Sequence, residues 1–133
     1  NLCLEITETS VVRDRQRAQR FIGQMRDLGC RFALDDFGTG FCSFGYLSDL
    51  DVDYIKIDGS FIRGLEASPL SQAVVRSIGD IAHVIGKSTI AEQVETEAEH
   101  RILQEMQVDY AQGYLFGRPQ SIESFFAAKS AVA

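Results

Sequence analysis

Ala33-Leu34-Asp35-Asp36-Phe37-Gly38-Thr39-Gly40 decides how the rest of the chain is read. An apolar run, Phe32 to Leu34, stops in two adjacent carboxylates and passes into a segment with two glycines. A strand that ends this way can build a metal site at a sheet edge. Neighbouring residues of a strand point to opposite faces, so Asp35 and Asp36 cannot serve one site unless the backbone turns between them. Gly38 and Gly40 permit such a turn, because glycine accepts positive φ cheaply. Taken alone, the octapeptide reads equally well as a strand-to-helix turn whose acids cap a helix. The flanking sequence has to decide.

On the N-terminal side, Leu2 to Ile6 reads as a strand ending at Thr7-Glu8-Thr9-Ser10. A helix from Asp14 to Leu28 follows, with Ala18, Phe21, Ile22, Met25 and Leu28 at helical spacing and Gly29 as its stop. On the C-terminal side come a short helix (Ser43 to Leu50), a strand (Val52 to Asp58) and a helix (Pro69 to Ile85). The last of these carries a stripe of Val74, Val75, Ile78, Ile81, Ala82 and Ile85. A strand over Thr89 to Glu92, a helix over Glu97 to Met106, a short strand over Val108 to Gln112 and a last helix near Ile122 to Lys129 complete the chain.

Strands alternating with helices imply right-handed crossovers and a parallel sheet, closed as a barrel or open and doubly wound. Polar residues separate the two. Glu5, Asp35, Lys56 with Asp58, Glu92 and Gln112 all fall at or near the C-terminal ends of successive strands, where (β/α)8 barrels collect their chemistry. An open sheet would instead carry a glycine-rich turn after its first strand, and here that turn is Thr-Glu-Thr-Ser. The expected fold is α/β, the C-terminal portion of a (β/α)8 barrel with about five of its eight βα units. The chain opens on a strand without Met, so residues 1–133 are expected to be one domain lacking about three N-terminal units.

A length of 133 residues, 45% of them apolar and 24% charged, fits one globular domain. The net charge of −6 and the lack of a basic stripe argue against a DNA or RNA duplex as partner. Cys3, Cys30 and Cys42 are odd in number and show no CxxC spacing, which predicts free thiols in a reducing cytoplasm. No apolar run reaches the roughly 18 residues of a membrane span, and no signal peptide is evident.

Lys56 sits in mid-strand between Ile55 and Ile57, so it points to the polar face, where burying an ammonium requires an anion. It is either a structural Lys–Asp pair or a group that steadies a water or phosphate oxygen beside metal-bound carboxylates. Several converging acids repel one another unless cations join them, and oxygen donors without His or Cys select Mg²⁺ or Mn²⁺. Two such ions suit phosphodiester hydrolysis. Glycoside hydrolysis is the runner-up, weakened by the absence of Trp as a sugar platform. Glu8 would cap the next helix or hold the loop after Asp36, and Glu95 poses the same question beside Glu92. His83 and His100 lie in helical patterns away from the strand ends. Asp36-Phe37-Gly38 matches the kinase magnesium motif, but neither a glycine-rich loop nor a catalytic-loop motif accompanies it.

The chain resembles the EAL family of cyclic di-GMP phosphodiesterases. The resemblance is carried in order by Leu4-Glu5-Ile6-Thr7-Glu8-Thr9, the octapeptide above, Ile55-Lys56-Ile57-Asp58-Gly59-Ser60-Phe61, Ala91-Glu92-Gln93-Val94-Glu95-Thr96 and Gln112-Gly113-Tyr114-Leu115-Phe116-Gly117-Arg118-Pro119. It implies a barrel that opens cyclic di-GMP to linear pGpG with Mg²⁺ or Mn²⁺ at a two-metal site. By position, Glu5, Asp35 and Asp36 would be metal ligands, Lys56 would orient the attacking water, and Glu92 would be a general base or second-metal ligand. Asp58 and Gln112 would support the site, Glu8 would hold the loop, and Glu95 and Pro119 would lie near the guanine and phosphate end of the substrate.

The family's Glu-Ala-Leu motif and a following metal-binding Asn fall before Asn1, so this stretch alone is expected to be inactive. Gln93 stands where the family usually has Gly, which would crowd the strand end without removing a ligand. The alternative is a catalytically silent cyclic di-GMP receptor, told apart by those upstream motifs. Open sheet edges further predict a homodimer or aggregation, and the longer protein is expected to carry sensory or GGDEF domains, with any membrane tether outside this stretch.

Overall fold

The hydrophobic period alternates between two and 3.6 along the chain, and the backbone follows it. The computed structural model describes residues 2–39, 44–121 and 123. Five strands are present: β1 (Cys3–Thr7), β2 (Arg31–Phe37), β3 (Tyr54–Ile57), β4 (Ser88–Ala91) and β5 (Tyr110–Ala111). The helices between them are α1 (Glu8–Arg13), α2 (Arg15–Asp27), α3 (Gly59–Ile62), α4 (Pro69–Val84) and α5 (Glu97–Glu105), with 3-10 turns at Phe44–Asp49 and Leu65–Ala67.

Every helix of more than one turn starts on a side chain able to accept from its free N–H groups. Asp14 accepts from Arg17 N at 3.0 Å to open α2, Ser68 from Ser71 N at 3.2 Å to open α4, and Thr96 from Glu99 N at 3.1 Å to open α5. No described helix is long and apolar enough to cross a membrane.

The sheet is wholly parallel and runs in sequence order, β1-β2-β3-β4-β5. A right-handed crossover repeated in sequence order places every helix on the same side. A doubly wound sheet would reverse direction partway and cover both faces. The outer face of the strands therefore packs against helices. Phe32, Leu34, Phe37, Ile55, Ile57 and Ala91 belong to one buried cluster with Ala18 and Ile22 of α2 and Val75, Ile78 and Ala82 of α4. Each large side chain so buried contributes about 1.5–3 kcal/mol.

Register fixes the other face. Glu5 lies opposite Ala33, Thr7 opposite Asp35, Tyr54 opposite Ser88, Lys56 opposite Ile90, and Ile90 opposite Tyr110. With side chains alternating along each strand, Glu5, Asp35, Lys56, Glu92 and Gln112 rise on this inner face above Tyr54, Ile90 and Tyr110. The Tyr54 and Tyr110 rings meet edge to face at 5.9 Å, as neighbours on one face should.

Four features differ from the sequence expectation. Thr7 to Arg13 is not only a turn: Thr7 caps the six-residue helix α1, a length too short to show a hydrophobic period. β2 continues past Asp35 to Phe37, and Asp58 leaves the face of β3 to cap α3, its Oδ1 accepting from Ser60 N at 2.9 Å. β5 shrinks to two residues, because the segment beyond Ala111 pairs with the loop after β4 instead, Val94 N donating to Gln112 O. The helix expected near Ile122 to Lys129, together with Gly40, Cys42 and Ser43, lies outside the described residues.

Candidate active site

The turn between Asp35 and Asp36 is real and local. Along the β2–β3 ladder, Leu34 pairs with Ile55 and Phe37 with Ile57, so β2 spends three steps where β3 spends two. The extra residue is a bulge, and it falls on the two acids. Asp36 takes φ 55°, a left-handed conformation that Asp tolerates better than most residues. The bulge defeats the alternation of the strand. Asp35, Asp36 and Glu92 each bring one carboxylate oxygen within 4.8 Å of the others.

After the bulge the chain must turn sharply. Gly38 has φ 102°, and a β-carbon there would stand 2.9 Å from the Phe61 ring, so glycine is required on both counts. Glu8 lies in the first turn of α1, but Thr7 is the cap and the Glu8 carboxylate goes elsewhere. Its Oε2 accepts from Gly38 N at 3.4 Å and its Oε1 from the Tyr46 hydroxyl at 2.8 Å. Glu8 thus ties the loop after β2 to both the α1 side and the 3-10 turn.

Lys56 is the centre of the acidic group. It is 3% exposed, and its Nζ lies 2.7 Å from Asp35 Oδ1, 2.8 Å from Glu92 Oε1 and 3.0 Å from Glu5 Oε1. Burial alone would lower its pKa, but the hydrogen bonds to Asp35, Glu92 and Glu5 raise it well above the usual lysine value. Lys56 is therefore a permanent donor here. Burial pushes the Glu92 carboxyl up from its ordinary value, and Asp35 and Asp36 add to the rise against the opposing pull of Lys56. Asp36 is raised too, by burial and then by its neighbours Asp35 and Asp58.

Gln112 joins from the end of β5, its Nε2 donating to Glu92 Oε1 at 3.1 Å. The fold therefore gathers Glu5, Asp35, Asp36, Lys56, Glu92 and Gln112 at one mouth. Glu5 is not among the three acids whose oxygens cluster; it connects through Lys56. Glu95 and Pro119 are exposed and stand outside the hydrogen-bonded group. His83 pairs with Asp109, and His100 packs edge-on to Phe116 at 5.2 Å, both away from the mouth.

Gln93 takes φ 55°, so the backbone there has the shape that favours glycine. Its side chain lies over Gly59 and accepts from Arg63 Nη2 at 2.5 Å. Sequence reasoning missed Tyr46, Arg63 and Glu99. No local pattern marks the first two, whereas the Thr96…Glu99 spacing of a capping box was legible.

Residues 1–119 match the family model for the EAL domain. The chain is 48% identical over 124 residues to the cyclic di-GMP phosphodiesterase PdeB of Shewanella oneidensis, covering 93% of this chain and 14% of that protein. Among solved structures it is similar to the PaMucR phosphodiesterase in complex with c-di-GMP, with a TM-score of 0.88 and 35% identity over 93% of this chain and 50% of that one. It also resembles Klebsiella pneumoniae BlrP1 in its manganese and cyclic di-GMP complex at pH 9.0, with a TM-score of 0.82 and 33% identity over 88% of this chain and 30% of that one. The chain spans between 14% and 19% of the length of the curated relatives it matches. Set beside these structures, the five strands form part of a barrel.

Proposed function

Because the chain belongs to the EAL domain family, we propose that the domain it helps to build hydrolyses cyclic di-GMP to linear pGpG. The observation that carries this reading is the acidic mouth, where one buried lysine faces three carboxylates at 2.7–3.0 Å and a fourth, Asp36, joins through the bulge. One ammonium cannot balance that charge, and hard oxygen donors without His or Cys fit Mg²⁺ or Mn²⁺. Such ions, held by Asp35 and Asp36 with Glu5 completing the set, would polarise the phosphodiester and make water a nucleophile near neutral pH.

The protein's own groups divide the remaining work. Lys56, a cation whose three N–H groups face Asp35, Glu92 and Glu5, would orient the attacking oxygen with the N–H that one of these carboxylates gives up on binding a metal ion. Glu92, whose carboxyl is raised by burial, accepts the proton that oxygen loses, and Gln112 holds it in orientation. The new P–O bond forms as the P–O3′ bond breaks, and the departing 3′ oxygen takes up a proton. Asp58 stiffens the turn beside Lys56, and Glu95 and Pro119 would lie near the guanine and phosphate end of the substrate. Glu8 keeps the bulged loop in place.

The reading extends to a homodimer, to fusion with sensory or GGDEF domains, and to a cytoplasmic setting consistent with the free thiols of Cys3 and Cys30. It also holds that residues 1–133 lack the first strands of the barrel, so this stretch alone would be inactive. The test is turnover of cyclic di-GMP by the full-length protein with Mn²⁺. Glu92→Ala should lose about 10²- to 10⁴-fold. Undiminished turnover would sink the role of Glu92, and tight binding without turnover in the unaltered protein would make it a receptor.

A further inference from the structure

Glu99 is 4% exposed on α5, and it does more than a helix cap requires. A capping box needs the carboxylate to accept from one N–H, that of the cap residue. Here Glu99 Oε2 accepts from both Thr96 N at 3.1 Å and Glu95 N at 3.0 Å. Its other oxygen, Oε1, crosses to a different loop and accepts from Gly64 N at 3.1 Å, a residue held at φ 66° just after α3. Burial would raise this carboxyl, yet the N–H groups of Glu95, Thr96 and Gly64 outweigh it and hold the group below the ordinary carboxylate range. One ionised side chain thus staples the loop after β3, which carries Asp58, to the loop after β4, which carries Glu92 and Glu95.

We infer that Glu99 is a positioning residue for substrate binding: by joining the β3 and β4 loops at Gly64 and Glu95, it fixes the Glu95 side of the mouth relative to Asp58. The inference rests on the proposed phosphodiesterase function. Glu92 does not depend on this staple, because its N–H donates to Ile57 O at 3.1 Å and its carboxylate is held by Lys56 and Gln112. The Glu95 N–H has no such second anchor among the described residues. Loosening the staple should therefore weaken the hold on the whole dinucleotide and leave the reacting centre intact.

The experiment compares Glu99→Gln and Thr96→Ala in the full-length protein. Glu99→Gln keeps the volume but turns one acceptor oxygen into a donor facing N–H groups. Thr96→Ala weakens the helix cap and removes the Thr96 hydroxyl's own bond to the Glu99 carboxylate, but leaves the Glu95 and Gly64 bonds that join the two loops. Glu99→Gln should raise KM for cyclic di-GMP about tenfold with kcat within about twofold, since binding common to ground and transition states is lost. Its rate on bis(p-nitrophenyl) phosphate, too small to reach the Glu95 side, should stay unchanged, and amide exchange over residues 59–64 should quicken about tenfold. Thr96→Ala should lower the melting temperature with KM within about twofold of the unaltered protein. An unchanged KM in Glu99→Gln, or an equal rise in Thr96→Ala, would overturn the inference. If the unaltered protein does not cleave cyclic di-GMP, the proposed function fails by itself; exchange over 59–64 then judges the staple, and no acceleration would overturn it.

Discussion

The two ends of the sheet treat their acids in opposite ways. At the N-terminal end, Asp51, Asp53 and Asp109 are met by protein donors. Asp53 accepts from Arg26 Nη1 at 2.8 Å and from Phe32 N at 2.9 Å, and Asp51 pairs with Arg26 Nε at 2.8 Å. Asp109 accepts from Thr89 N at 2.7 Å, from the Thr89 hydroxyl at 2.8 Å and lies 3.2 Å from His83 Nε2. Lys87 closes this floor by donating to Leu50 O at 2.7 Å and Val52 O at 3.0 Å. At the C-terminal end, Lys56 alone is shared among Glu5, Asp35 and Glu92, with Asp36 drawn in by a strained residue. The floor is electrostatically finished. The mouth is left with more carboxylates than protein cations, the charge pattern on which the proposed metal-dependent function rests.

The contrast is sharpest for a pair of isosteric changes. Asp35→Asn should cut cyclic di-GMP turnover about 10³-fold while changing the melting temperature little, because the weakened bond to Lys56 offsets the like-charge repulsion it relieves. Asp53→Asn should do the reverse, costing about 2 kcal/mol of stability and leaving turnover per folded molecule unchanged. Loss of stability in the first or of turnover in the second would dissolve the distinction.

A smaller effect concerns metal ions. Adding Mn²⁺ at about a hundred times its dissociation constant should stabilise the full-length protein by about 2.7 kcal/mol. Calorimetry should show this increment retained in Asp53→Asn and abolished in Asp35→Asn.

Acid should then find the floor. Burial would raise Asp109, but the bonds from Thr89 and His83 hold it below the ordinary aspartate value. A depressed folded pKa means the unfolded chain binds more protons, so the contribution of Asp109 is full above about pH 4 and fades as pH falls through the lower folded value. Melting curves below pH 4 should show a shallower acid loss in Asp109→Asn than in the unaltered protein. Asp109 remains partly exposed, so the difference should be modest.

The smallest change is at the mouth's strained rim. Gln93→Gly removes a side chain from a left-handed position and should alter stability by no more than about 1 kcal/mol, since strain relief is offset by backbone entropy and the lost Arg63 bond. Chemical denaturation would measure it.

The sequence alone determined the alternation of strands and helices, because hydrophobic period is a local property that survives without partners. It also placed Glu5, Asp35, Lys56, Glu92 and Gln112 at or near the C-terminal ends of their strands, although only Glu92 and Gln112 directly follow a strand and the other three lie within one. Whether those ends meet was decided by register and by a one-residue bulge, and neither is local. The bulge at Asp35–Asp36 depends on how β2 pairs with β3, and it alone puts adjacent residues on one face. The hold of Glu8 on Gly38, and of Glu99 on Gly64, spans 30 and 35 residues. Such contacts exist only once the chain has folded, because a carboxylate has no reason to prefer a distant N–H until burial removes the water that competes for it.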